Sequence, residues 1–165
     1  MPFVKSKPSY DLLETLDLSH NQIMLDANKL LTQIPPNLRV LRLSSNLISG
    51  RLPDPFPRLS DLEIFSMDYN RLSGRLPNRI VLPVLHQLNL ANQALLSGTI
   101  PASLSAIPGL RKLDLSGNKL SGTIPPELGL HLEALDLSNN ALEGSVPPEL
   151  ASQLKSIVLG RNSKL

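Results

Sequence analysis

Apolar residues recur along this chain in a fixed phase. Reading for Leu-x-x-Leu-x-Leu-x-x-Asn gives seven registers. They are Leu13-Leu16-Leu18-Asn21, Leu38-Leu41-Leu43-Asn46, Leu62-Phe65-Met67-Asn70 and Leu85-Leu88-Leu90-Gln93, then Leu110-Leu113-Leu115-Asn118, Leu132-Leu135-Leu137-Asn140 and Leu154-Ile157-Leu159-Asn162. Their starts lie 25, 24, 23, 25, 22 and 22 residues apart. Each Leu-x-Leu alternation predicts a short strand with its leucines inward and their neighbours outward. No single repeat can bury its own apolar face, so successive strands are expected to stack as a parallel sheet, about 4.8 Å apart. Asn21, Asn46, Asn70, Asn118, Asn140 and Asn162, with Gln93 in the fourth repeat, fall where the chain leaves the strand. An amide there can donate to one carbonyl and accept from another N–H, so these side chains are expected to form a structural ladder through buried backbone.

A second motif follows the ladder residue: Ser49-Gly50-Arg51-Leu52-Pro53, Ser73-Gly74-Arg75-Leu76-Pro77, Ser97-Gly98-Thr99-Ile100-Pro101, Ser121-Gly122-Thr123-Ile124-Pro125 and Glu143-Gly144-Ser145-Val146-Pro147. Glycine allows a bend, the aliphatic residue points inward and proline ends the extended segment. The composite Leu-x-x-Leu-x-Leu-x-x-Asn-x-Leu-Ser-Gly-x-Ile-Pro resembles the plant-type leucine-rich repeat. That repeat is found in receptor-like kinases, receptor-like proteins and polygalacturonase-inhibiting proteins. The resemblance covers residues 12–165, with residues 1–11 as a short lead-in. It implies an α/β solenoid: a right-handed superhelix with a parallel concave sheet, a short second sheet and an irregular or 3-10 convex side. It also implies a non-catalytic recognition module binding a protein, peptide or glycan on the concave face.

Three departures carry expectations. Residues 24–31 replace the Ser-Gly segment of the first repeat and predict a short convex helix. The fourth repeat has Gln93 at the ladder position and one extra residue before Ser97, which predicts a bulge or widened turn. The cysteine-bearing caps usual in such ectodomains have no counterpart here, so the chain reads as a fragment, an incomplete product or a module continued by another chain. Its last strand is then expected to favour edge-to-edge self-association.

Composition refines this picture. Leucine is about one residue in five, aromatics are 3% and Trp is absent, in keeping with one packing solution used repeatedly. A net charge of +2 demands neither nucleic acid nor an anionic membrane. Its distribution is uneven, with seven arginines against four acids from Arg39 to Arg79, and five acids with no Lys or Arg between Lys119 and Lys155. With no cysteine, neither a disulfide nor a thiolate metal site can form. No stretch is long and apolar enough for a membrane span, and none of the twelve asparagines lies in an Asn-x-Ser/Thr sequence. The start lacks the pattern of a secretion signal. Compartment stays open: the resemblance implies an extracellular or plasma-membrane-associated setting, while these features favour a cytoplasmic one.

Catalysis needs converging groups, and none is evident. His20, His86 and His131 are far apart in register and read as surface residues. Gly-x-Ser-x-Gly, phosphate-loop and protein-kinase signatures do not occur, and no cofactor or metal is expected. Strand phase places residues in outward columns. The later repeats carry small consensus residues there, whereas repeats two to four carry Val40, Arg42, Ile64, Ser66, Asp68, Tyr69, Gln87 and Asn89. These are the candidate ligand-binding residues, with a cross-strand Arg42–Asp68 pair as the competing structural reading. An intracellular scaffold and a polygalacturonase-inhibitor-like blocker are the alternative functions. Ice binding would need a regular Thr array, and the relevant column reads Arg51, Arg75, Thr99, Thr123, Ser145.

Overall fold

The computed structural model describes residues 12–57, 59–129, 131–152 and 154–165. The expected lead-in, residues 1–11, lies outside the described residues.

Seven three-residue strands carry the inward leucines: β1 (Thr15–Asp17), β2 (Val40–Arg42), β4 (Ile64–Ser66), β6 (Gln87–Asn89), β8 (Lys112–Asp114), β10 (Ala134–Asp136) and β12 (Ser156–Val158). They form one parallel sheet in sequence order, with Leu41, Phe65, Leu88, Leu113 and Leu135 in register. A second parallel sheet is made by β3 (Ser49–Gly50), β5 (Asn70–Arg75), β7 (Gln93–Gly98), β9 (Lys119–Gly122) and β11 (Ala141–Leu142). Short 3-10 turns at Ala102–Ala106, Pro126–Gly129 and Pro148–Ser152 close later repeats. The first repeat is closed instead by helix α1 (Ala27–Leu31), capped by the Asp26 carboxylate accepting from the Lys29 N–H at 3.1 Å.

Between these walls runs one continuous core, dominated by leucine and widened in repeat three by Phe65 and Met67. Phe65 meets Phe56 in a tilted ring pair, centroids 5.9 Å apart. Each fully buried leucine contributes roughly 1.5–3 kcal/mol of hydrophobic stabilisation.

The turn between the sheets is held by side-chain amides. The Asn70 amide group donates to the carbonyls of Leu43 (2.9 Å), Met67 (2.9 Å) and Asp68 (3.2 Å), and its oxygen accepts the Ile48 N–H at 3.0 Å. Asn46, Asn118, Asn140 and Asn162 likewise join their own strand end to the preceding repeat. Asn21 is exposed and, among the described residues, bonds the Leu18 and Ser19 carbonyls of its own turn. Gln93 occupies the same position in repeat four, donating to Met67 O (2.8 Å) and Ala91 O (3.1 Å) while accepting from Leu72 N–H (3.0 Å). An irregularity does fall between β5 and β7: Asn70 faces Gln93, yet Ser73 faces Leu95, so three steps along β5 meet two along β7 and the unpaired residue lies on β5 rather than on the longer fourth repeat. Strand β6 stays in register with both neighbours.

Candidate functional site

Parallel register sets the outward rows of the larger sheet. Val40, Ile64 and Gln87 form one row, and Arg42, Ser66 and Asn89 the next. Asp68 and Tyr69 follow in the turn after β4. Tyr69 is 60% exposed, whereas Ser66 is buried. The Asp68 carboxylate accepts the Ser44 hydroxyl, and no Arg42–Asp68 ion pair forms among the described residues. The competing structural reading of that pair therefore fails. A serine on the adjacent turn reaches the carboxylate from its own register position, leaving the guanidinium closer to the first repeat. There the hydrogen bonds from the Ser19 backbone and hydroxyl hold the Asp17 carboxyl below its ordinary value, and the nearby charge of Arg42, then His20, adds to the effect.

Asp17 belongs to a series. Its oxygen accepts the N–H two residues on, as do those of Asn89, Asp114 and Asp136, at 2.9–3.0 Å from Ser19, Ala91, Ser116 and Ser138. These Asx turns end their strands. Asn89 is thus partly committed to its own backbone. Repeats two, three and seven put Arg42, Ser66 and Val158 in that place, so the central column is released from Asx capping there, and in repeats two and three this happens on adjacent strands.

Two features escaped sequence reasoning. The residue before each ladder position is left-handed: His20, Ser45, Tyr69, Asn92, Gly117, Asn139 and Arg161 all have φ between 52° and 66°. This conformation lets the Tyr69 N–H reach Ala91 O at 3.0 Å and the Asn92 N–H reach Ser116 O at 2.8 Å. Asn92, Gly117 and Asn139 were the available signal, because Asn and Gly tolerate this region best. Tyr69 has no such tolerance and is held there by the stacked turns on either side.

The second is a column of mixed charge beside the strand starts, Glu14, Arg39, Glu63, His86, Arg111, Glu133 and Lys155, in which acids and bases alternate except at His86–Arg111. Arg39 forks onto Glu63 at 2.7 and 2.9 Å and reaches Glu14 at 3.4 Å. Lys155 meets Glu133 at 2.7 Å. Signs at one register position were visible in the sequence; that they pair was not.

An open recess of about 250 Å³ lies on the same face, over β6, β8, β10 and β12. Of the sequence-selected residues only Gln87 and Asn89 line it; Lys112, Asp114, Ala134 and Asp136 supply much of the rest. Val40, Arg42, Ile64, Asp68 and Tyr69 lie on the earlier repeats beyond it. Among the described residues no His/Cys/Asp/Glu group is arranged to hold a metal ion, and no helix is long and apolar enough to cross a membrane.

The Leucine Rich Repeat family profile matches residues 12–38, 37–59, 109–130 and 131–152. Receptor-like protein EIX2 of Solanum lycopersicum is 30% identical over 124 residues, which cover 74% of this chain and 12% of that protein. Among solved structures, the plant peptide hormone receptor RGFR1 in complex with RGF2 superposes with a TM-score of 0.81 at 32% identity. That match covers 89% of this chain and 24% of the receptor. A plant ice-binding protein superposes with a TM-score of 0.76 at 29% identity, over 90% of this chain and 49% of that one. This chain therefore spans about an eighth of the length of the curated relative and a quarter of the receptor. With its repeated strand, amide ladder and second sheet, the chain belongs to the leucine-rich repeat family, in the plant type shared with receptor-like proteins.

Proposed function

We propose that this chain is a recognition module of receptor-like type that takes an extended peptide or protein segment on the outward face of β2, β4 and β6. The observation that carries the reading is the release of the central column in repeats two and three. There Arg42 replaces an Asx cap, with Ile64 and the exposed Tyr69 beside it. Tyr and Arg are the side chains that most often anchor interfaces, since both combine contact area with directional hydrogen bonds. The likeness to a peptide hormone receptor solved with its peptide supports this choice over a glycan, an intracellular scaffold partner or a polygalacturonase. The ice-binding likeness favours no second reading, since the Thr column is interrupted by Arg51 and Arg75.

Random linear peptides displayed on phage, selected on the whole chain, provide the test. Enriched peptides should lose about tenfold or more in affinity against Arg42→Ala and Tyr69→Ala, with melting unchanged. Equal binding to both variants, or no enrichment at all, overturns the site. Light scattering tests edge-to-edge association of the isolated chain. Ile157 and Val158 on β12 are 42% and 44% exposed, so apparent mass should rise with concentration; a constant monomer mass would refute it.

A further inference from the structure

On the flank formed by the second sheet, the Ser-Gly-x-Leu-Pro segments of repeats two and three both carry arginine at x. The glycine of the next repeat makes room for each stem. A Cβ built at Gly74 would lie 3.0, 3.1 and 3.2 Å from Cγ, Cδ and Nε of Arg51, and one at Gly98 would lie 2.8 Å from Cγ of Arg75. Both arginines therefore lie along the solenoid in the same direction, one repeat apart, with their stems packed and their heads free. Arg71 stands on β5 opposite Ser49, adding a third exposed cation. Among the described residues Arg51, Arg71 and Arg75 form no ion pair, whereas Arg39, Lys155 and Lys164 each do. An open recess of about 470 Å³ lies between the two ridges, lined by Arg51, Asp54, Gly74, Arg75, Asn78 and Ser97.

Like charges laid side by side on neighbouring strands oppose each other, and a guanidinium fork is suited to a carboxylate. The serine hydroxyls between them are already spent: Ser73 donates to Gly50 O at 3.1 Å and Ser97 to Gly74 O at 3.2 Å. Apart from the Asn78 amide, the side-chain donors left are those of the arginines, which favours an anionic ligand over a neutral, hydroxyl-rich one. The column turns to Thr99, Thr123 and Ser145 in the following repeats. The paired charge thus spans only one strand spacing, roughly 5 Å, too short a track for a long polyanion or a membrane surface. An extended peptide places alternate side chains about 6.6 Å apart on one face, within reach of two forks on adjacent repeats.

We infer that the flank of repeats two and three is a second binding surface, in which Arg51, Arg75 and Arg71 take an acidic peptide segment carrying carboxylates two residues apart. This surface is independent of the concave reading.

A labelled Glu-Ser-Glu-Ser-Glu peptide, titrated against the whole chain at low salt, tests the inference. Binding should weaken about fivefold or more in Arg51→Gln/Arg75→Gln, weaken with added salt, and persist in Arg42→Ala and Lys155→Gln. Arg51→Glu/Arg75→Glu should instead take up a Lys-Ser-Lys-Ser-Lys peptide that the parent chain ignores. The inference is overturned if the Glu peptide binds the parent and Arg51→Gln/Arg75→Gln equally. It is equally overturned if only polygalacturonate or phosphatidylserine vesicles bind while the peptide does not. Loss of Glu-peptide binding in Arg42→Ala alone would place the contact on the concave face and also count against it.

Discussion

The side-chain oxygen of Asn118 accepts the backbone N–H of Gln93 itself, at 3.1 Å. Asn46, Asn70, Asn140 and Asn162 each accept instead from the residue two positions beyond the preceding ladder residue: Ile23, Ile48, Leu120 and Leu142. The inserted residue of repeat four moves the expected N–H out of reach, and the ladder closes on the nearest donor. Gln93 compensates on its other side, its longer side chain spanning to Leu72 N–H and Met67 O. Length of side chain and length of turn are therefore matched.

Shortening that side chain alone should break the match. Gln93→Asn is expected to cost about 1–2 kcal/mol, because buried groups such as the Leu72 N–H lose a partner. Removing Ala94 together with Gln93→Asn restores the spacing of the neighbouring repeats and should recover most of the loss. Urea unfolding of the two variants decides it; equal stability would mean that the turn relaxes freely.

The ladder should outweigh exposed charge. Asn70→Leu leaves the Ile48 N–H and the Leu43 and Met67 carbonyls without their side-chain partner, at a cost of about 1–3 kcal/mol. Lys119→Ala, on an exposed site, should be near neutral. A similar midpoint for both in urea would refute the structural role.

Gly74→Ala should destabilise through the backbone as well as through Arg51. Its φ of 79° is a region that L side chains rarely adopt, and the added Cβ would meet the Arg51 stem at 3.0 Å. A loss of about 1–2 kcal/mol is expected. Thermal melting of Gly74→Ala in the parent and in Arg51→Ala separates the parts: relief in the double variant measures the contact, and the remainder measures the conformation.

Acid should weaken the Glu133–Lys155 link in a defined direction. The hydrogen bond from Lys155, then its charge, with help from Arg111 and Lys112, holds the Glu133 carboxyl below its ordinary value of 4.5. A carboxyl lowered in the folded state stabilises the fold above its unfolded value, and that contribution fades as pH falls through the folded one. Glu133→Gln should therefore flatten the acid limb of stability below about pH 4.5 and leave the slope between pH 6 and 8 unchanged. A parallel acid limb in the variant would show that the link contributes nothing; both groups are exposed, so the effect should be small.

The repeat made most of the architecture legible. A period of two within each strand decides inside from outside, and a 22 to 25 residue period decides which strands touch. The buried leucines, the amides at strand ends, helix α1 and the irregular fourth turn all follow from those two periods. Tertiary structure decided what depends on reach and on neighbours a full turn away. It set the left-handed turn at Tyr69, gave Asp68 to Ser44 rather than to Arg42, and paired Arg39 while leaving Arg51 and Arg75 free. Periodicity specifies where a Cβ stands. Where a long polar side chain ends depends on which partner the adjacent coil presents, and that is settled only when the coils are stacked.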